Sequence, residues 1–259
     1  MILDDILAET RRTVAASLAR VPYADIEKQA AAAAPVRSLA KALRSATGMA
    51  CIAEFKRRSP SRGWIHRDAE VTPVARAYEA AGASAMSILT DTPFFGGSLA
   101  DLRQARATMG LPILRKDFLV SPYQVAEARA AGADAVLLIV AALTERDLYL
   151  LLAETSRWGM EALVETHDAD EVARAVMVGA KLIGVNHRDL RTFEMNLDLA
   201  ARMRPLIPAD RLVVAESGIK TTGEVRRLRA AGIDAILVGE TLMQSPNAAA
   251  ALRALVGGA

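Results

Sequence analysis

A short motif of small residues around a glycine recurs along the chain at a nearly constant interval. It reads A-G-A-S-A at 81–85, A-G-A-D-A at 131–135, V-G-A-K-L at 178–182 and A-G-I-D-A at 231–235. Each copy follows a helical pattern and precedes an apolar run, so we expect its glycine to end the helix in a left-handed cap. The interval of about 50 residues equals two strand-plus-helix units of roughly 25 residues each. The repeat therefore predicts strands and helices that alternate along most of the chain.

Eight short apolar runs are the candidate strands. They lie at 50–55, 85–89, 112–115, 134–140, 161–164, 181–185, 211–215 and 234–238. Nearly all lack polar alternation, and strands with apolar residues on both faces indicate a parallel sheet that helices cover. Eight units in 259 residues favour the α/β class and a closed (β/α)8 TIM barrel as a single domain. An open doubly wound sheet is the alternative, but no glycine-rich dinucleotide loop follows the first run, and the even repeat suits closure better.

Residues 1–46 precede the first predicted strand and are too few to enclose a core of their own. Two amphipathic helices are predicted here, at 3–19 and 38–43. Pro22 and the alanine run at 30–34 separate them, and that run suits either a helix or a slack linker. We expect a helical extension that packs over one end of the barrel, which residues 47–259 form.

Charge and cysteine content exclude several classes of function. The formal net charge of +2 is too balanced for a nucleic-acid-binding surface, although the pI of 8.8 suits an anionic small molecule. The single cysteine, Cys51, excludes an internal disulfide, and the three histidines share no ligand spacing, so we expect no metal. The acidic N-terminus does not resemble a signal peptide, and the longest apolar run, 135–143, is far below the roughly 20 residues of a spanning helix. We therefore expect a cytoplasmic protein without a membrane or nucleic-acid partner.

Charged residues follow several predicted strands, at the barrel end where functional groups collect. Glu54 and Lys56 are two residues apart and share the face toward the barrel axis, and Lys116 and Glu165 end the third and fifth strands. Two lysines and two carboxylates nearly neutralise one another, so they can be buried together in one site. To exchange protons at neutral pH a lysine needs a pKa of roughly 7 to 8, and we expect the second lysine and partial burial to lower it. Alternatively, these residues form separate salt bridges on the surface, or one of the lysines acts by forming a Schiff base.

Glycines at the ends of the last two strands indicate an anion site. The segments E-S-G-I at 216–219 and V-G-E-T at 238–241 let backbone N–H groups approach a ligand closely, where barrels often bind phosphate. The acidic Glu240 opposes this reading unless its side chain turns to solvent. Simple helix caps are the alternative.

Five motifs in order carry a family resemblance. They are E-F-K-R-R-S-P-S at 54–61, L-R-K-D-F at 114–118, L-V-E-T-H at 163–167, G-V-N-H-R-D-L at 184–190 and A-E-S-G-I at 215–219. With them the whole chain resembles the indole-3-glycerol phosphate synthase family of tryptophan biosynthesis. The resemblance implies a carboxy-lyase that cyclises 1-(2-carboxyphenylamino)-1-deoxyribulose 5-phosphate to indole-3-glycerol phosphate. This reaction loses CO2 and water by general acid/base catalysis and needs no metal or organic cofactor.

The resemblance also implies roles for residues at the matched positions. Lys116 looks like the general acid, Glu165 like the carboxylate that stabilises the iminium, and Lys56 like a second acid that also binds the anionic substrate. Glu54 would be the partner of Lys56 or a base, and Asn186 would orient the ribulosyl hydroxyls. The implied substrate-binding residues are Ser59, Pro60, Phe95, Phe118, Arg188, Glu216 and Ser217, and the implied phosphate-binding residues are Gly218, Gly239 and Glu240.

Two other functions remain as alternatives. Another phosphosugar TIM-barrel isomerase or a Schiff-base aldolase would use the same phosphate site with different proton chemistry, and a non-catalytic phosphate binder would show no turnover. For partners we expect the small phosphosugar-anthranilate substrate and either a monomer or a weak homodimer. Association with other enzymes of the tryptophan pathway is left open.

Overall fold

The structure is a computed structural model that describes residues 2–189 and 194–257. Leu190, the last residue of the fourth motif, lies outside the described residues. Eight parallel strands close into a barrel in which each strand pairs with the next along the chain and the last pairs with the first. The barrel strands are β1 (Ala50–Phe55), β4 (Ala85–Leu89), β5 (Ile113–Lys116), β6 (Ala135–Ile139), β7 (Glu161–Thr166), β8 (Leu182–Asn186), β9 (Leu212–Glu216) and β10 (Ala235–Val238). The predicted (β/α)8 barrel is confirmed.

Helices connect the strands and cover the outside of the barrel. They are α1 (Ile2–Arg20), α2 (Tyr23–Ala32), α3 (Leu39–Arg44), α4 (Val71–Ala80), α5 (Leu99–Thr108), α6 (Pro122–Ala131), α7 (Glu145–Arg157), α8 (Ala169–Met177), α9 (Leu199–Met203), α10 (Thr222–Ala230), α11 (Glu240–Met243) and α12 (Ala248–Val256). A short antiparallel hairpin of β2 (Arg58–Ser59) and β3 (Gly63–Trp64) follows β1. Within the described ranges, no helix combines the length and the apolar composition that crossing a membrane would require.

The repeated glycines end their helices as predicted. Gly82, Gly132, Gly179 and Gly232 have φ angles of 88°, 93°, 81° and 81°, in the left-handed region that glycine adopts without steric cost. Each one turns the chain from the end of a helix into the next barrel strand. The small-residue repeat therefore marks the same helix-to-strand turn in every copy.

The strands separate two apolar layers. Side chains such as Ile52, Leu163 and Leu237 fill the barrel interior. Phe55 and Ile183 belong to the layer between the strands and the helices. Because side chains alternate along a strand, the outward Phe55 leaves Glu54 on the inner face, as predicted.

The N-terminal extension differs from the prediction, because it forms three helices and reaches both ends of the barrel. The alanine run continues α2 as far as Ala32, and α2 packs along α6, where the rings of Tyr23 and Tyr123 lie 6.3 Å apart. Helix α3 covers the N-terminal end of the strands, since Glu161 at the start of β7 accepts the N–H of Ala40 at 2.9 Å. The first turn of α1 lies at the opposite end, where Ile6 lines the cavity described below.

A buried carboxylate ties the N-terminal end of the barrel together. Asp134 has no exposed surface and accepts two hydrogen bonds of 2.8 Å from the guanidinium of Arg106. It also accepts the backbone N–H groups of Arg37 at 2.7 Å and Ile113 at 2.8 Å. Asp134 therefore joins the extension, α5 and β5 just before β6 begins.

We predict that Asp134→Ala lowers the free energy of unfolding by about 3–5 kcal/mol, because it leaves a largely buried guanidinium without its partner. Asp25→Ala is the matched control, since Asp25 forms an exposed ion pair with Lys28 and should leave stability nearly unchanged. Urea unfolding of the three proteins measures both effects. Equal stabilities of the Asp134 and Asp25 variants would contradict the structural role of Asp134.

Candidate active site

A cavity of about 660 Å³ opens at the C-terminal ends of the barrel strands. Every predicted site residue lines it, although these residues are distributed over most of the chain. They are Glu54, Lys56, Ser59, Pro60, Phe95, Lys116, Phe118, Glu165, Asn186, Arg188, Glu216, Ser217, Gly218, Gly239 and Glu240. Several strands run one residue further than predicted and end in polar residues of this set, such as Lys116 and Asn186. The backbone of each such residue pairs with a neighbouring strand, while its side chain reaches the cavity.

Four charged side chains come from every second strand of the barrel. Glu54 lies on β1, Lys116 on β5, Glu165 on β7 and Glu216 on β9. Alternate strands of a TIM barrel contribute the four side chains of one interior layer. Lys116 Nζ lies 2.9 Å from Glu165 Oε2 and 3.3 Å from Glu216 Oε2, and both carboxyl side chains are 1% exposed. The sequence indicated the first contact, but it did not place Glu216 in this cluster.

The pKa of Lys116 is raised, so the predicted lowering is wrong. Burial alone favours the neutral amine, but the charges of Glu165, Glu216 and Glu54 outweigh it and raise the pKa above its ordinary value. The second lysine does not oppose this effect, because Glu54 Oε1 lies 3.0 Å from Lys56 Nζ and pairs with it. Lys116 is therefore an ammonium group at neutral pH.

The two carboxyl groups beside Lys116 have pKa values that are shifted in opposite directions. Burial favours the protonated form of Glu165, but Lys116 and His167 outweigh it and hold its pKa below the usual range. Burial also favours protonated Glu216, and there the nearby Glu165 adds to this effect against Lys116 and raises the pKa to about 8. At neutral pH the ammonium group of Lys116 therefore contacts one ionised carboxylate, that of Glu165, and one protonated carboxyl group, that of Glu216.

Glu54 requires a neighbour without a side chain. A Cβ atom on Gly239, the residue before α11, would overlap the carboxyl group of Glu54. Ser87 also reaches this carboxyl group, with its Oγ 3.4 Å from Oε2. Gly239 thus provides the space in which Glu54 and Lys56 form their ion pair.

One side of the cavity is apolar. The rings of Phe95 and Phe118 lie 6.0 Å apart and tilted by 36°. The first residues of α1 add Ile2, Leu3 and Ile6, and β6 adds Leu137 and Ile139. The fourth barrel strand therefore contributes its inward side chains to the apolar wall. The contribution of α1 was missed, since only tertiary packing brings the extension to this end.

The other side of the cavity is built from strained and polar backbone. Ser217 is the one described non-glycine residue with a positive φ, 68°, and Gly218 follows with 75°. The Ser217 carbonyl lies 3.0 Å from Nδ1 of the buried His187. Asn186 Oδ1 accepts the N–H of Arg188 at 3.1 Å. These contacts fix two consecutive strand ends around the predicted phosphate site.

Glu240 does not turn to solvent. Its Oε1 lies 3.1 Å from Nε of Arg62, in the loop of the β2–β3 hairpin, and its Oε2 lies 3.9 Å from Nη2 of Arg188. The carboxylate stays at the cavity rim because two guanidinium groups hold it there. A second bridge anchors the hairpin, since Arg57 donates two hydrogen bonds, of 2.7 and 2.8 Å, to Asp101 of α5.

Comparisons with known proteins identify one family. A family model for indole-3-glycerol phosphate synthase matches residues 3–255. The chain is 49% identical over 256 residues to indole-3-glycerol phosphate synthase 2 of Streptomyces coelicolor, covering 99% of each chain. It is 46% identical over 255 residues to the indole-3-glycerol phosphate synthase of Rhodopirellula baltica, covering 98% of each. A solved mandelate oxidase variant with benzaldehyde has a TM-score of 0.61 and 18% identity over 90% of this chain and 89% of that one, a likeness of fold alone.

The structure combines a closed parallel barrel with ammonium and carboxyl groups at the C-terminal ends of its strands. These features define a TIM-barrel enzyme of acid and base chemistry. The matches over nearly the whole chain are more specific. The chain belongs to the indole-3-glycerol phosphate synthase family, which confirms the resemblance seen in its motifs.

We predict that Glu216→Gln removes a pH dependence of stability. Glu216 has a pKa of about 8 in the folded protein, against 4.5 ordinarily, so the folded state binds an extra proton between these values. The free energy of unfolding therefore falls as pH rises through this window. Glutamine does not titrate, so the stability of the variant relative to the natural protein should increase from pH 5 to pH 9, by about 1.4 kcal/mol for each pH unit inside this window.

Urea unfolding at the two pH values measures this difference. Glu145→Gln at the exposed start of α7 is the control and should show no such increase. A stability difference for the Glu216 variant that is the same at pH 5 and pH 9 would contradict the raised pKa.

Proposed function

We propose that the protein converts 1-(2-carboxyphenylamino)-1-deoxyribulose 5-phosphate into indole-3-glycerol phosphate, CO2 and water, the reaction that its family membership implies. The observation that supports this reaction best is the position of Lys116 Nζ, 2.9 Å from Glu165 and 3.3 Å from Glu216, in the cavity that also contains the pair of Lys56 and Glu54. Ring closure, decarboxylation and dehydration need several proton transfers. Groups of different proton affinity in one cavity can supply them.

The two sides of the cavity suit the two ends of this substrate. The anthranilate ring would pack against Phe95 and Phe118 on the apolar side, with its carboxylate toward Lys56. The phosphate would accept hydrogen bonds from the backbone N–H groups of Gly218 and Gly239. Ser217 and the backbone N–H of Glu240 would lie beside it. Asn186 would orient the ribulosyl hydroxyls, and Arg188 would support the anionic end. The loop with Ser59 and Pro60 would cover the bound substrate.

Lys116 begins the reaction in this proposal. As an ammonium group it donates a proton to the ketone oxygen while the ring carbon that bears the carboxylate attacks the ketone carbon. The nitrogen attached to the benzene ring becomes an iminium, which the ionised Glu165 stabilises. CO2 then leaves, and the benzene ring becomes aromatic again. This step consumes one proton, from Lys116, and breaks the bond between the ring and the carboxylate.

The second lysine completes the dehydration. Lys56 donates a proton to the new hydroxyl group, which leaves as water. Glu54 accepts a proton from the carbon next to the ring nitrogen, and the double bond of the indole forms. The pair is already in contact at 3.0 Å, so acid and base lie on the same side of the cavity.

The protonation of Lys116 disfavours the alternative aldolase reaction. A lysine attacks a carbonyl only as a neutral amine, and three carboxyl groups raise the pKa of Lys116 away from that form. Borohydride reduction in the presence of substrate should therefore leave Lys116 and Lys56 unmodified in a mass spectrum.

We further propose that the protein acts as a monomer or a weak homodimer in the cytoplasm. One copy supplies every proposed site residue, and the single buried cysteine, Cys51, fits a reducing compartment. Association with other enzymes of the tryptophan pathway is not needed for this chemistry.

We predict that Lys116→Ala and Glu165→Gln each lower the turnover of the carboxyphenylamino ribulose phosphate by about 100-fold or more, because each removes a group that exchanges or balances the transferred proton. The appearance of indole fluorescence measures the rate, and circular dichroism checks the fold. Lys181→Ala is the matched control, because Lys181 is exposed at the N-terminal end of β8 and should retain full activity. Unchanged rates in both site variants would refute the assigned roles.

A further inference from the structure

A histidine outside the cavity connects Glu165 to a second carboxylate. His167 follows the last residue of β7, and its Nε2 lies 3.3 Å from Glu165 Oε1. Its Nδ1 lies 3.0 Å from Oε2 of Glu171, in the first turn of α8. Only 9% of the His167 side chain is exposed, and it is absent from the described residues that line the cavity.

The two carboxylates determine the protonation of the imidazole. Nδ1 shares a hydrogen bond with Glu171, and Nε2 lies at ion-pair distance from Glu165. Because a carboxylate only accepts hydrogen bonds, this arrangement favours a proton on both ring nitrogens. Glu165 and Glu171 are the charged groups that face His167, and the neighbouring carboxyl group of Asp168 is instead turned to the N–H of Glu171, 2.8 Å away. Burial alone would lower the pKa of His167, but the two carboxylates raise it to about 10. His167 is therefore a buried cation at neutral pH.

The contrast between Glu165 and Glu216 indicates what this cation does. Both side chains are 1% exposed, and both contact Lys116. Only Glu165 also contacts His167, and only Glu165 has a lowered pKa. Lys116 acts on both carboxyl groups but lies closer to Glu165, and Glu54 raises the pKa of Glu216. His167 therefore adds a second cation beside the ionised member of the pair.

Proton donation by Lys116 would remove a positive charge from beside Glu165, and the contact with His167 would compensate for that loss. Once Lys116 becomes neutral, Glu165 loses the cation on its Oε2 and would be a buried carboxylate without a partner, which tends to take up a proton. The contact at Oε1 is independent of Lys116 and persists through that step.

We propose that His167 is a positioning residue that acts through Glu165: its imidazolium fixes Oε1 and keeps this carboxylate, rather than Glu216, ionised while Lys116 transfers its proton. This inference rests on the proposed indole-forming reaction, in which Glu165 stabilises the iminium. It assigns no contact between His167 and the substrate. Glu171, held by the N-cap Asp168, balances the imidazolium from the other side.

Steady-state kinetics of His167→Gln test the role in the reaction. Glutamine keeps a hydrogen-bond donor but not the charge, so Glu165 should take up a proton more readily. We expect the acid limb of the kcat profile to move to higher pH by about one unit, so that kcat measured on that limb falls by about tenfold, with KM changed less than about twofold. Asp170→Asn is the matched control, because it removes an exposed carboxylate from the same helical turn and should leave the profile unchanged.

A measurement without substrate tests the charge itself. With ¹⁵N-labelled histidine, both ring nitrogens of His167 should remain protonated at pH 8, and the titration midpoint should fall in Glu165→Gln. The absence of its signals in His167→Gln assigns them among the three histidines. A neutral imidazole at pH 8 would overturn the proposal.

The two experiments separate this inference from the proposed function. If the natural protein forms indole-3-glycerol phosphate and His167→Gln keeps its kcat and pH profile, the positioning role is wrong while the function stands. If the natural protein does not turn the substrate over, the function fails, and the histidine titration still decides whether the imidazolium exists.

Discussion

The ammonium group of Lys116 lies between two carboxyl groups in the interior of the barrel, and this contact governs the protonation of the whole site. A unit charge pair 4 Å apart is worth about 1 kcal/mol in water and several times more in a protein interior. An isolated buried carboxylate costs several kcal/mol, so the cluster holds its charges only together. Lys116 therefore stays protonated, Glu165 stays ionised, and Glu216 takes up a proton near neutral pH.

The barrel provides the geometry for this cluster. Alternate strands bring Glu54, Lys116, Glu165 and Glu216 into one layer, and residues without side chains leave room for them. A Cβ on Gly184 would overlap the carboxyl group of Glu216, as one on Gly239 would overlap that of Glu54. The N-terminal extension covers both ends, with α3 under the strands and the first turn of α1 at the cavity. Acid and base groups, an apolar wall and the proposed phosphate site thus share one opening.

Local patterns in the sequence were sufficient for the barrel and for the inward charged residues Glu54, Lys56, Lys116 and Glu165, and the family resemblance supplied most of the other predicted residues that line the cavity. The glycine repeat gave the turns, and the alternation of Glu54, Phe55 and Lys56 gave the inward face of β1. The sign of the Lys116 shift was not predictable, because it depends on distances between side chains on four separate strands. The path of the extension and the pairing of Glu240 depend on tertiary packing and have no local signal. The division into an extension and one barrel domain stays a prediction.

The titration of Lys116 in the free protein tests this account most directly. The chain has few lysines, and with ¹³C at the lysine ε-carbon the signal missing from Lys116→Ala identifies the residue. The account predicts that Lys116 remains an ammonium group at a pH where exposed lysines have lost their protons, and that Glu165→Gln lowers its titration midpoint. A midpoint at or below that of the exposed lysines would contradict it.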